Sequence, residues 1–311
     1  MVTDTENLNK EMTPTEKKAE ERRAREKRVK ELRERKAREK AAQEKQKQES
    51  AGKEKTPYEL VRGARSKNRL TSLDFIKGLF RGFIELHGDR RFADDPAVIA
   101  GVAYLGDTPF TVIGTEKGRD TKSRIKHNFG TPNPEGYRKS LRLMKQAEKF
   151  KRPVICFVDT SGAFCGIGAE ERGQGQAIAE NIMELMTLKT PVLSILIGEG
   201  GSGGALALAV ADEVWMFENA VYSVISPEGC ANILWREPEK ADEAAQNLKL
   251  TSKNISDLGV VDRVIPEKSR DPEKMLHDLS AQIIEWYKNT SEIPVDELTQ
   301  RRYERFRKLG V

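Results

Sequence analysis

Three cysteines, three histidines and 6% aromatic residues among 311 positions leave this chain short of the side chains that usually bind metals or act as nucleophiles. Cys156, Cys165 and Cys230 form no C-x-x-C pair, so neither a zinc site nor a disulfide framework is indicated. No metal is therefore expected on this chain, and a reducing, cytoplasmic compartment is the expected one. Long apolar runs are also missing. The longest, 191–197 and 203–211, are separated by Glu199 and are far shorter than a membrane-crossing helix requires. Met1 to Asn7 is acidic and no apolar stretch follows, so no secretory signal is expected.

Charge is abundant, and it is local. Residues 1–55 hold 18 basic and 13 acidic side chains, so the formal net charge of +5 sits in that arm and the remainder is neutral. Residues 15–50 carry almost no apolar side chains and no aromatics. Glu21/Arg25, Glu26/Lys30, Glu31/Arg35 and Glu34/Arg38 are i,i+4 pairs in the favoured order. The arm is expected to be a solvated helix or a disordered segment that buries no core. Its mixed charges, without interleaved aromatics, do not suit nucleic acid. Residues 50–56 read as a linker, and the chain from 56 to 311 is long enough for a real core.

The folded part alternates strands and helices. Phe75, Leu79, Phe83 and Leu86 have helical spacing, which predicts a helix over 73–86 ended by Gly88. Strands are expected at 98–105 and 110–115, joined by Gly106-Asp107, and a basic loop, Lys117 to Lys122, follows. An amphipathic helix over 135–150 leads to a buried strand, 153–158, which ends in Asp159-Thr160-Ser161-Gly162-Ala163-Phe164-Cys165-Gly166. A helix over 170–188 precedes a second buried strand, 191–197. Beyond the next turn come strands at 213–218, 221–225 and 260–265, and helices near 239–248, 252–258 and 272–288, then a charged tail. Two consecutive βα units, each with a glycine-rich turn at the carboxyl end of its strand, predict an α/β architecture with both turns in one crevice.

The second of those turns is Gly198-Glu199-Gly200-Gly201-Ser202-Gly203-Gly204-Ala205. Five glycines imply close backbone approach, positive φ, or both. Three motifs fit. Gly200 to Gly204 matches the G-x-S-x-G elbow of serine hydrolases, but the only histidine after Ser202 is His277, in a charged helix. Gly198 to Gly203 matches the dinucleotide fingerprint, and Glu218 stands where an acid is expected, about 20 residues on. Against that, Glu199 would put a carboxylate into the phosphate cradle. The third reading is an oxyanion hole built from the backbone N–H groups of Gly203 and Gly204, which needs no side-chain nucleophile. Arg119 and Lys122 are candidate anion binders or a solvated loop. Glu170, Glu171, Arg172 and Glu228 read as helix-start charges, and Cys165 as a thiol near the crevice.

Several blocks carry a resemblance. Asn128-Phe129-Gly130, Pro134-Glu135-Gly136-Tyr137-Arg138-Lys139, Gly168-Ala169-Glu170-Glu171-Arg172-Gly173-Gln174, the glycine stretch and Tyr222 to Cys230 resemble the alpha subunit of the carboxyltransferase of bacterial acetyl-CoA carboxylase. The likeness runs from about Leu73 to Pro266. It implies a crotonase-like β-β-α superhelix behind the charged helical N-terminal arm, with 56–311 as the carboxyltransferase domain. It implies transfer of CO2 from carboxybiotin, carried on biotin carboxyl carrier protein, to acetyl-CoA, giving malonyl-CoA for fatty acid synthesis. The implied partners are a beta subunit in an α2β2 assembly, the carrier protein, and biotin carboxylase in the holoenzyme. Carried over by residue, Gly203 and Gly204 receive the biotin ureido oxygen, or Gly204 and Ala205 in the neighbouring register. Gly162, Ala163, Gly166, Gly200, Gly201 and Ala205 line the cofactor pocket. The acyl-CoA half of the site falls to the beta subunit. Another biotin-dependent acyl-CoA carboxyltransferase subunit and a non-catalytic scaffold of the same fold are the alternatives. The chain departs from the family pattern in three places, one of them an N-terminal arm far more charged than usual. Ser161 and Cys165 replace prolines, and Lys268-Ser269-Arg270-Asp271 replaces Gly-Gly-Ala-His.

Overall fold

The chain's apolar stretches assemble into one eight-stranded mixed sheet in this computed structural model, which describes residues 55–267 and 271–310. The expectations for the arm, apart from Lys55, and for Lys268 to Arg270 lie outside the described residues. Helices α1 (Pro57–Ala64) and α2 (Ser72–Leu79) each begin with a capping box, Thr56 with Glu59 and Thr71 with Asp74. Strands β1 (Arg81–Glu85), β2 (Val98–Leu105) and β3 (Thr108–Thr115) pair antiparallel. From β3 onward the sheet is parallel, through β4 (Val154–Thr160), β5 (Val192–Gly201), β6 (Glu213–Phe217) and β8 (Arg263–Ile265). The short β7 (Val221–Ser223) pairs with the end of β5, off the main path.

Strand β4 is buried at every position and β5 at all but its last, as expected of parallel strands covered on both faces. The crossovers run through α3 (Thr121–Lys126), α4 (Pro134–Lys149), α5 (Ile167–Glu171), α6 (Gln174–Thr187) and α7 (Ser202–Ala209). Phe75 of α2 stacks on Phe157 of β4, with ring centroids 5.4 Å apart, and this pair sits in the middle of the main core.

The expected helix over 73–86 is half right. It stops at Leu79, and Phe80 turns to extended backbone. Residues 81–85 then pair with β2, because a free sheet edge offers that backbone a full set of hydrogen-bond partners. Phe83 in the strand and Leu86 just past it still pack against the core, so an apolar pattern written for a helix is also satisfied by a sheet edge. The expected helix over 170–188 is two helices. Gly173, at φ 82°, separates α5 from α6, since left-handed backbone cannot continue a helix.

Past β7 lie α8 (Pro227–Trp235), α9 (Ala241–Asn247), α10 (Ser252–Asp257) and α11 (Pro272–Ser291). Asp271 caps α11 by accepting from the N–H groups of Glu273 and Lys274. The charged tail is a helix as well, α12 (Val295–Arg307). Its anchor is Arg302, whose side chain is fully buried. The guanidinium donates to the carbonyls of Leu185, Leu188 and Thr190 at 2.6, 2.8 and 3.0 Å, and to both oxygens of Asp212 at 2.8 Å. All five N–H donors are therefore used, which is what burying a guanidinium requires.

Candidate functional site

Strands β4 and β5 run side by side, so their two turns meet. Val158 stands opposite Leu196, but Thr160 stands opposite Gly200. Strand β5 thus holds two more residues than β4 across this interval, and 197–199 bulge out of the ladder with β4, although Glu199 still pairs with Val221 of β7. The extra length brings Gly200 level with Thr160 and Gly201 against the 161–163 turn.

The glycines of this stretch serve closeness, not positive φ. None of the five lies in the left-handed region, whereas Ser202 does, at φ 52°. A Cβ on Gly201 would lie 2.3 Å from the Ser161 carbonyl, and one on Gly204 would lie 2.5 Å from the Ala163 nitrogen and 2.7 Å from the Gly162 carbonyl carbon. The two turns therefore touch backbone to backbone. A Cβ on Gly198 would strike the Asp159 carboxylate at 2.3 Å, and one on Gly200 the Tyr222 ring at 2.8 Å. Gly203 differs. Its nearest neighbour in that direction is Ile178 at 3.5 Å, an ordinary contact.

Of the expected pocket residues, Gly162, Ala163, Gly201, Gly203 and Gly204 gather where the turns meet. Gly200 and Ala205 are buried. Gly166 stands apart, at the start of α5 beyond Phe164. No side chain caps α7, and the first N–H groups of a helix lack intrahelical partners, so the site presents donors and a positive dipole end. An apolar cavity of about 300 Å³, lined in part by Leu206, Tyr222 and Val224, opens beside Ser202 and Gly203. Behind the helix start lies Tyr137, fully buried, with its hydroxyl 2.8 Å from where a Gly204 Cβ would sit and without a partner among the described residues. Burial pushes that phenol's pKa well above its ordinary value.

Of the side chains that hold this backbone, Arg65, Lys117 and Asp159 were not singled out from sequence, and Glu199 and Glu228 were read otherwise. Asp159 Oδ1 accepts the Glu199 N–H at 2.8 Å. Lys117 Nζ lies 2.8 Å from Asp159 Oδ1 and 2.6 Å from Glu199 Oε2. Arg65 Nε lies 2.8 Å from Glu199 Oε1, and its Nη1 lies 2.6 Å from Glu228 Oε1. Burial works to discharge Lys117, but Asp159 and Glu199 outweigh it and raise its pKa. Burial likewise works to protonate Glu199, and Lys117 with Arg65 outweigh it and hold its pKa below the ordinary value. Glu199, which looked like an intruder in a phosphate cradle, is thus one member of an ion network beneath the turn. Its signal in sequence was a carboxylate at the end of an apolar strand, which requires a buried partner.

The other motifs fall away. His277 is exposed on α11, His87 bonds Asp94, and His127 bonds the Pro96 carbonyl. No histidine among the described residues serves Ser202. Glu218 accepts from the Glu267 N–H and helps close the end of the sheet. Arg119 is held by Asp74, and Arg172 by Glu135. Cys165 is exposed, and no cluster of three potential metal ligands occurs among the described residues.

Two adjacent βα turns in backbone contact, one opening an uncapped helix, define a crotonase-like α/β fold. A solved Pseudomonas malonate decarboxylase hetero-tetramer in complex with coenzyme A contains a similar chain, with a TM-score of 0.60 at 18% identity, covering 75% of this chain and 92% of that one. The particular family follows from sequence. Residues 4–310 match the family described as acetyl co-enzyme A carboxylase carboxyltransferase-like, and the chain belongs to the family of acetyl-CoA carboxylase carboxyltransferase alpha subunits. It is 59% identical over 254 residues to the alpha subunit of Ruminiclostridium cellulolyticum, covering 82% of this chain and 98% of that one. It is 54% identical over 263 residues to a protein of Natranaerobius thermophilus named for both subunits, beta/alpha, covering 83% of this chain and 44% of that one.

Proposed function

We propose that this chain is the alpha half of an α2β2 carboxyltransferase that moves the carboxyl group from biotin on a carrier protein to acetyl-CoA, giving malonyl-CoA for fatty acid synthesis. Residues 56–311 form its carboxyltransferase domain. The observation that carries the proposal is the uncapped start of α7, pressed backbone to backbone against the 161–163 turn. That donor set suits a neutral ureido oxygen on which negative charge develops. Carboxybiotin, when bound, supplies the carboxyl group and, once that is given up, a nitrogen able to take a proton from the acetyl methyl. The chain's own part is to bind and polarise. The Gly203 and Gly204 N–H groups hold the ureido oxygen, each worth roughly 2.7–4 kcal/mol where charge develops.

The acyl-CoA half of the site is assigned to the beta subunit, and a relative that unites both subunits in one chain supports that division. Biotin carboxyl carrier protein and biotin carboxylase complete the proposed holoenzyme. A cytoplasmic location belongs to the same reading. No helix among the described residues is long and apolar enough to cross a membrane.

Reconstitution tests this. The purified chain, given carboxylated carrier protein and acetyl-CoA, is expected to form no malonyl-CoA until the beta subunit is added. Full turnover by the chain alone, or none with the beta subunit present, overturns it.

A further inference from the structure

The bulge at 197–199 raises a physical question. Ile197 and Gly198 have no registered strand partner on the β4 side, and Glu199 is paired only on its other side, with Val221 of β7, yet this bulge aims the glycine turn. On the side facing β4, side chains hold it. The Arg69 guanidinium donates to the Ile197 carbonyl, and Asp159 accepts the Glu199 N–H. Asp159 needs a countercharge in that buried place, and Lys117 provides it while also gripping Glu199. Arg65 carries the network on to Glu228, in the first turn of α8. Six side chains from five segments thus converge under one turn.

We propose that Lys117 and Glu199 are positioning residues for carboxyl transfer: their ion pair locks the two-residue excess of β5 in the shape that sets Gly201 and Gly204 against residues 161–163. Neither residue is assigned a contact with the ureido oxygen, and both act through the backbone they hold. A buried ion pair is weak evidence for stability, because apolar residues of the same volume often stabilise as well or better. Its value here is geometric. Ion pairs and hydrogen bonds fix directions, and a misplacement of about 1 Å at a reacting centre costs on the order of a hundredfold in rate. The inference rests on the carboxyltransferase reading, but one of its readouts does not.

The test compares Lys117→Met with Arg302→Met in the assembled complex. Both remove a cation from a buried ion pair, one beneath the turn and one at α12. Three quantities are read: kcat and KM for acetyl-CoA with carboxylated carrier protein, melting temperature, and amide hydrogen exchange over residues 200–205. Lys117→Met is expected to lower kcat at least tenfold, to leave KM within twofold, and to speed exchange over 200–205. Arg302→Met is expected to lower the melting temperature while leaving kcat per assembled complex and that exchange unchanged. Glu199→Gln keeps shape and hydrogen bonding, and it replaces Lys117→Met with the same expectation in weaker form should that variant not assemble. Wild-type kcat and exchange in the Lys117 and Glu199 variants, or equal effects from Arg302→Met, overturn the proposal. A wild-type complex without transfer overturns the carboxyltransferase reading instead, and exchange over 200–205 then judges the lock by itself.

Discussion

Two of the buried charged centres among the described residues, those of Arg302 and Lys117, are built differently. Around Arg302, one cation meets one carboxylate and three carbonyls, and every N–H of the guanidinium is used. The centre closes on itself and ties the last helix to the sheet. Around Lys117, carboxylates from β4 and β5 share one ammonium, and Arg65 links the cluster outward to Glu228 with about a third of its side chain exposed. This centre is open to solvent at its Arg65 end. A closed centre holds elements together. The open one beneath a turn is the one proposed to hold a shape that the reaction requires.

The largest effect should come from the closed centre. Arg302→Met leaves Asp212 buried without its cation, at a cost of about 3–5 kcal/mol. In a domain of this size that corresponds to a melting temperature lower by on the order of 10 °C. Calorimetry of the assembled complex would check it, and a shift under 2 °C would break the comparison from the stability side.

Close behind is Gly204→Val, which tests the turn that the open centre supports. The new Cβ meets the backbone of Gly162 and Ala163, so the helix start must move. Losing one donor lowers kcat by about 10²–10³. The KM for acetyl-CoA should hold, and size-exclusion chromatography should still find the full complex. Wild-type kcat in an assembled Gly204→Val complex would remove this stretch from the chemistry.

Acidification separates the centres more gently. The folded-state pKa of Glu199 lies below its unfolded value, so its contribution is complete above the unfolded value, near 4.5, and is lost as pH falls through the folded one. Between pH 6 and pH 3 the wild type should therefore lose more stability than Glu199→Gln. Denaturant titrations at both pH values measure this, and equal losses would mean that the Lys117 pair contributes nothing.

The smallest effect concerns Ser202. A non-glycine residue in left-handed backbone is strained by about 1–2 kcal/mol. Glycine's greater freedom in the unfolded chain offsets about 0.4–1 kcal/mol of the relief. Ser202→Gly should raise the melting temperature by roughly 2–4 °C, and no serine-directed covalent probe should label the wild type. A fall in melting temperature would show that the hydroxyl stabilises the turn, and labelling would revive a serine nucleophile.

Much of this was legible in the letters. Buried apolar runs at 153–158 and 191–197 are parallel strands, and their glycine-rich ends do lie side by side. Other features were hidden for identifiable reasons. Phe83 and Leu86 fit a helix as well as an edge strand. The tail after residue 288 reads as charge, because one arginine among many does not announce that it alone is buried. Glu199 read as a misfit because its partners, Lys117, Asp159 and Arg65, lie 40 to 134 residues away in sequence.

By itself, the sequence determined the alternation of strands and helices, the family and the glycine stretch, because these rest on local pattern: side-chain period, residue size and contiguous blocks. Tertiary structure alone decided which backbone that stretch touches, which of its residues carries positive φ, how two extra residues in β5 are absorbed, and which charges are buried together. Those depend on distances between segments far apart in the chain, and no local pattern encodes them.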